Sequence, residues 1–489
     1  MAIGATCIWE VRTTGANTNG GGYTSGGVDK SQQDAAGWAL TGCTSVGAGD
    51  TVLNANAHAD MIGNVACCVS GTNFTTSEFF EVLSVVAGVS ITFGTSHTPA
   101  SICTGIGAIG VINIGGAFKI GGTLDGDFFD AKVAGNTTWI ASGTYTLGES
   151  VSPPAAAYGT SAAPVVVTGY NATRGDNPTG VTRPLIDGGA YTFTVAYYWN
   201  LSNLRGTSIY IGSTGTFGLS PYCSMLNCKV ENTATAGNPV AIGYVDGTGI
   251  NIIECEAVSR VGTAITAGSG AVVCCYVHDS KTGISAQWAD TIYGCIIDTC
   301  QTGIDLVGSI YNIFSNAVRN CVLGIEAGTY DSGCVINNII ADCVTGASSV
   351  AVENQFWDYQ CWSNNGTDII NVTKGSHDVT KDALLVSGLV SGTDGATGGT
   401  GLVFTAASAP FSGVTTGDCL LIKDGGTGAV VGVYTISNVD STSQITLATS
   451  AGANKTGITY GIVKGTNFTL GEGSPCFDAG MQLGAIVGL

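Results

Sequence analysis

A punctuating glycine recurs at Gly262, Gly283, Gly303, Gly324, Gly346 and Gly366, in steps of 21, 20, 21, 22 and 20 residues. Isoleucine follows three of these glycines, at Ile284, Ile304 and Ile325, and cysteine stands three residues before three of them, at Cys300, Cys321 and Cys343. Eight residues before the glycines lie Cys275, Cys295, Asn316 and Asn338, and four before lie Asp279, Asn320 and Asp342. Between these marks apolar and polar residues alternate. A period near 21 that carries short strands specifies a solenoid in which one repeat is one coil. Helical repeats need longer periods and helix formers, and leucine-rich repeats need a leucine–asparagine consensus that is absent here. A parallel β-helix fits: each strand pairs with its counterpart one coil away, and equivalent residues stack into ladders. Inward Ile and Val are worth ~1.5–3 kcal/mol per fully buried side chain. Cysteines fill the narrower corners, and Asn and Asp supply turns that visit left-handed dihedrals.

Composition agrees with this reading. Charged residues are 10% of the chain, against about 25% in an ordinary soluble domain. Half of each strand faces a dry core, and like charges stacked ~4.8 Å apart repel. The 74 glycines argue against a helical enzyme, and 10 prolines without a strict triplet exclude collagen. Sixteen Lys and Arg against 35 Asp and Glu give a net charge of −19, which repels phosphate backbones and anionic membranes, so neither nucleic acid nor membrane is an expected partner. No apolar run is long enough to span a bilayer. The 18 cysteines form no Cys-x-x-Cys pair, and His58, His97, His278 and His377 do not cluster with them in sequence. No metal and no cofactor are expected; the thiols read as free, small buried hydrophobes.

A second repeat lies outside the coils. Phe80-Glu-Val-Leu-Ser-Val-Val with Ser90-Ile-Thr-Phe-Gly-Thr-Ser matches Val433-Tyr-Thr-Ile-Ser-Asn-Val with Gln444-Ile-Thr-Leu-Ala-Thr-Ser. Both read as copies of one small antiparallel β-module, suited to capping open coil ends. The expected organisation is an attachment segment over 1–38, a β-module over 39–123, the β-helix over 124–388, a second module over 389–465 and a closing segment over 466–489.

Trp139-Ile140 with Gly143-Thr144-Tyr145, then Gly169-Tyr170, then Arg183-Pro184 with Ile186 resemble the early coils of the pectate-lyase-like, right-handed parallel β-helix superfamily. The opening, Ile8-Trp-Glu-Val-Arg-Thr-Thr-Gly with Asn17-Thr-Asn-Gly-Gly-Gly-Tyr and Ser31-Gln-Gln-Asp-Ala-Ala, resembles that of β-helix proteins encoded by tailed phages. The resemblance implies an all-β virion protein, a homotrimer attached to the major capsid protein or tail as a capsid-exterior decoration. No secretory leader is visible, so folding in the host cytoplasm before incorporation into the virion is expected. The alternative is a tailspike-like polysaccharide depolymerase or a glycan-binding receptor protein acting on a host-surface glycan.

No catalytic motif is matched. Gly105-Ile-Gly-Ala-Ile-Gly110 spells a dinucleotide-binding glycine pattern, but a strand rather than a helix follows it, so it reads as turns. Arg174-Gly175-Asp176 spells an adhesion tripeptide within an ordinary loop. A polysaccharide-cleaving enzyme would need carboxylates facing one another across a sugar. Asp279, Asp298, Asp305 and Asp342 lie on neighbouring coils, with Arg260, Lys281 and Arg319 as nearby bases. The competing reading makes Asp279 and Asp342 turn residues that satisfy backbone amides. Trp357, Tyr359 and Trp362 form either a sugar-stacking platform or the packing of the last coil or of an oligomer interface.

Overall fold

The computed structural model describes residues 3–463, apart from 96–100, 209, 211–214, 245–247, 288–289, 308–309, 329–331, 351–354, 381–389, 408–410, 425 and 430–431. The expected closing segment over 466–489 lies outside the described residues. The chain divides into two compact units, Met1–Val277 with Ile284–Thr291, and His278–Gly283 with Ile292–Leu489.

The first unit holds parallel coils and a barrel. One sheet runs Ile8–Ala16, Thr137–Ala141, Val165–Tyr170, Trp199–Ser202, Ser224–Leu226, Asn251–Ile253, Ala271–Val273. A second runs Thr144–Thr146, Leu185–Gly189, Arg205–Ser208, Lys229–Asn232, Glu256–Ser259, and a third Phe193–Thr194, Phe217–Leu219, Val240–Tyr244, Thr263–Ala267. The second unit repeats this three-sheet pattern, for example with Thr302–Leu306, Leu323–Ala327, Thr345–Ser349 and Thr367–Ile370 in the third sheet. There Ile304 pairs with Ile325, and Ile325 with Ala347, as the period requires. The expected parallel β-helix is the observed fold.

The segment 1–38, expected as an attachment extension, contributes the first solenoid strand: Trp9 pairs in parallel with Thr138. The first barrel is thus inserted between two neighbouring strands of one sheet. Trp38–Val46, Thr51–Leu53, Val65–Phe74, Phe79–Val86, Ser90–Thr95 and Cys103–Ile114 close it. Val390–Thr397, Val403–Thr405, Cys419–Asp424, Gly432–Ser441, Gln444–Leu447 and Thr456–Val463 close the second with the same strand order. The Ile-Thr repeat lies in the fifth strand of each, where Ile91 and Phe93, and Ile445 and Leu447, point into the core. Closure removes the edge strands that would recruit other chains.

The corners explain the cysteines. Asn203, Asn227, Glu254 and Cys274 in the first unit have φ between 52° and 58°, and Asp279, Thr299, Asn320, Asp342 and Asn364 in the second between 49° and 55°. A single left-handed residue turns the chain and leaves the preceding strand's last carbonyl facing inward. The next side chain donates to it. Cys228 Sγ donates to Leu226 O at 3.4 Å, Cys255 to Ile253 O at 3.2 Å and Cys321 to Arg319 O at 3.1 Å. Asn338 Nδ2 makes the same bond to Ile336 O at 3.1 Å, and Gln360 Nε2 to Asp358 O at 2.9 Å. Cys, Asn and Gln therefore serve alike just after the corner, as inward-facing donors. The repeat glycine has a separate cause: a Cβ on Gly324 would stand 2.3 Å from the carbonyl oxygen of Gly346.

Burial pushes the Cys67 and Cys68 thiols up to about 12, and those of Cys43 and Cys223 to about 11. Cys361 departs from the free-thiol expectation, being disulfide-bonded. Among the described free cysteines only Cys274 is exposed. Brief iodoacetamide treatment of the native protein is expected to alkylate Cys274 first among these, and Cys274→Ser to remove that fast phase in peptide mass mapping.

An aromatic cluster joins the first strand to the short helix Asp125–Asp130 and the barrel. Trp9, Phe79, Phe118 and Phe128 pack together, with Phe118 and Phe128 stacked at 4.0 Å. Lys132 Nζ lies 3.4 Å from the ring centres of both Trp9 and Phe128 and donates to Phe128 O at 2.5 Å. Burial pushes this ammonium well below the lysine range, and the charges of Cys7 and Asp130 oppose that push. Nearby, burial first and then the charges of Glu78 and Glu149 raise Asp127 to about 6. Asp130 rises to about 7, again from burial first, with Asp127 and Glu78 adding to it. Carboxyls raised in the folded state stabilise it at low pH, and this contribution is lost as pH rises through about 6 to 7. The thermal midpoint is expected to fall between acidic and mildly alkaline buffer, and to fall less in Asp130→Asn. Lys132 works in the opposite sense.

Candidate functional site

The residue types that sheet alternation turns outward build a groove on the second sheet of the first unit. Ile186, Gly206, Val230 and Ala257 share one buried register column and point into the core. Leu185, Arg205, Lys229 and Glu256 form the outward column beside it, and Asp187, Thr207 and Glu231 the next. The groove encloses about 480 Å³, and Arg183, Arg205, Lys229, Glu231 and Glu256 are among its lining residues. Three of the chain's 16 cations thus line one depression of a protein whose net charge is −19.

These cations are held in different ways. Lys229 Nζ lies 2.5 Å from Glu256 Oε1, with side chains 39% and 29% exposed. A pair this exposed is worth about 0–1 kcal/mol, so a ligand anion can replace Glu256 at small cost. Arg205 Nη1 donates to Val181 O at 3.3 Å. Arg183 Nη2 donates to Asn227 Oδ1, whose amide in turn donates to Asn203 Oδ1 at 2.7 Å. Arg183 Nε is buried and has no acceptor among the described residues.

The loop between Val165–Tyr170 and Leu185–Gly189 supplies Gly180, Val181 and Arg183 to the groove. The Asp176 carboxylate accepts from the backbone N–H groups of Asn171, Ala172 and Thr173 at 2.7, 2.8 and 3.1 Å, and these bonds hold it below the usual carboxylate range. Arg174 Nε donates to Glu10 Oε2 at 2.7 Å. Both charged ends of the Arg174–Asp176 tripeptide therefore have structural partners.

The residues singled out in the sequence are placed differently. Asp298 is 3% exposed and pairs with Arg319 Nη2 at 2.8 Å, accepting also from Asn320 Nδ2 at 2.8 Å. Asp279 and Asp342 occupy left-handed corners; Asp279 lies 3.1 Å from His278 Nδ1, and Asp342 accepts from Asn364 Nδ2 at 2.7 Å. Asp279 N donates to Asp298 O, which brings those two residues together. Asp305 lies on the third sheet, in register with Glu326. Trp357 and Trp362 are 6% and 0% exposed, and Trp362 Nε1 donates to Asp378 Oδ2 at 2.8 Å, so neither offers a face to a sugar. Tyr359 stacks on His377 at 4.4 Å. The groove cations escaped the sequence reading because they share no motif. Their spacings of 24 residues from Arg205 to Lys229 and 27 from Lys229 to Glu256 conceal a common column.

Among the described residues no group of three or more His, Cys, Asp or Glu is placed to hold a metal ion. No described helix is long and apolar enough to cross a membrane. Comparison with family profiles and with curated proteins finds no match. Among solved structures, a rhamnogalacturonan lyase is similar at 11% identity and a TM-score of 0.32, over 53% of this chain and 83% of its own. The tailspike protein gp49 from Pseudomonas phage LKA1 is similar at 14% identity and a TM-score of 0.21, over 88% of this chain and 82% of its own. The parallel β-helix with two antiparallel barrels is therefore assigned from the chain's own strand pairing.

Proposed function

We propose that this chain is a structural component of a tailed-phage particle, assembled as a homotrimer, that binds an acidic polysaccharide of the host surface in the groove of Arg183, Arg205 and Lys229. The observation that supports this reading is the register column that stacks Arg205 on Lys229, in a groove that Arg183 also lines. Carboxylates of an acidic glycan supply stronger acceptors than those that Arg205 and Lys229 now hold. The glycan reading is tested by titrating a uronate-rich polysaccharide, with a neutral one as control. One charge-assisted bond is worth about 1.5–3 kcal/mol, so Arg205→Ala is expected to weaken binding by roughly 10- to 100-fold. Binding should also weaken with salt. Equal affinity for both glycans, or an unchanged Arg205→Ala, would overturn the groove assignment. An unsaturated-uronate assay on the same mixtures distinguishes binding from cleavage.

A capsid-exterior decoration that takes no glycan is the second reading. It is favoured by the structural partners of Asp298 and Asp342, which occupy two candidate acids. Saturable attachment to empty capsids, without affinity for any glycan, is the result expected of it. Light scattering of the purified protein checks the trimer.

A further inference from the structure

The corner cysteines form two columns. In the first unit Cys255 contacts the thiols of Cys228 and Cys275. In the second Cys321 contacts those of Cys300 and Cys343. All six are 1–3% exposed. Each donates to the carbonyl two residues before it, at 3.1–3.4 Å. A sulfur in a disulfide has no S–H and cannot make that bond, so oxidation would strip a corner carbonyl of its donor.

We propose that the thiol columns act as a one-way redox latch: the chain reaches this fold only with the column cysteines reduced, and once folded it keeps them from disulfide oxidants. The step excluded is defined. Two thiols give two protons and two electrons to a glutathione disulfide, a protein S–S bond forms, the glutathione S–S bond breaks, and two glutathione thiols leave. In the unfolded chain nothing hinders it. In the folded chain the six thiols are 1–3% exposed, so the attacking disulfide has no access to them. Cys361 belongs to neither column.

The folded arm incubates native protein with oxidised glutathione, then unfolds it in iodoacetamide and maps the peptides. Cys228, Cys255, Cys275, Cys300, Cys321 and Cys343 are expected to remain free while exposed Cys274 is consumed. The folding arm synthesises the chain in a cell-free mixture poised with dithiothreitol or with oxidised glutathione, and measures the soluble fraction of the chain made. That fraction is expected to be about tenfold lower under oxidant, as trapped intermediates aggregate, and to recover when dithiothreitol is present from the start. Column thiols consumed as fast as Cys274, or equal soluble fractions in both mixtures, would overturn the latch.

Discussion

An Asp298→Asn chain is expected to lose about 3–5 kcal/mol of folding stability, because it breaks the buried ion pair with Arg319. Asp298 and Arg319 are in register on adjacent rungs, and their side chains are each 4% exposed. The carboxylate also accepts from Thr299 Oγ1 at 3.0 Å and Asn320 Nδ2 at 2.8 Å. Asparagine keeps one acceptor oxygen and removes the charge that balances Arg319. Urea unfolding gives the loss directly. In the double variant Asp298→Asn with Arg319→Met the ion pair is replaced as a whole, so much of the stability should return. Activity measured on Asp298→Asn alone would mislead, since a destabilised chain loses every activity together. If Asp298→Asn kept full stability and lost only polysaccharide turnover, Asp298 would be a catalytic residue and the structural reading of this pair would fail.

The coils were legible where their length is constant. Between Cys295 and Gly366 each corner, column and repeat glycine recurs at 20–22 residues, and the chemistry of a corner restricts what can stand there. Trp362 was legible too, had the ladder been followed one rung further: it pairs with Ile340 in an inward column, which sets its burial. The paired barrels showed through their fifth strands because inward alternation preserves Ile-Thr-Phe against Ile-Thr-Leu. The groove did not show, since loops of varying length between rungs move Arg205, Lys229 and Glu256 out of phase. The first strand did not show either, because the inserted barrel separates Trp9 from its partner Thr138. Local pattern records what each rung needs; it does not record which distant rung a strand joins.

That hidden strand carries the second large effect. Glu10 is fully buried and lies between two cations, with Arg12 Nε at 2.8 Å and Arg174 Nη2 at 2.6 Å, and it also accepts from Tyr170 OH. A Glu10→Gln chain keeps the shape and loses the charge, leaving two guanidiniums around a neutral amide, at a cost of about 3–5 kcal/mol. The loss should be local. Arg174 ties the groove-wall loop to the strand Ile8–Ala16, so hydrogen exchange should quicken in that strand and over 171–183 while the barrel core around Val82 and Ile112 keeps its protection. Groove affinity should fall as well, although Glu10 does not line the groove, because Val181 and Arg183 belong to the released loop. Arg12→Ala is the control. Its side chain is 30% exposed and its removal leaves Glu10 paired with Arg174, so a smaller loss is expected. Uniform exchange across the first unit in Glu10→Gln would make the cluster a global fastener, and unchanged exchange would make it dispensable; only the local pattern supports a strand that holds the groove wall in place.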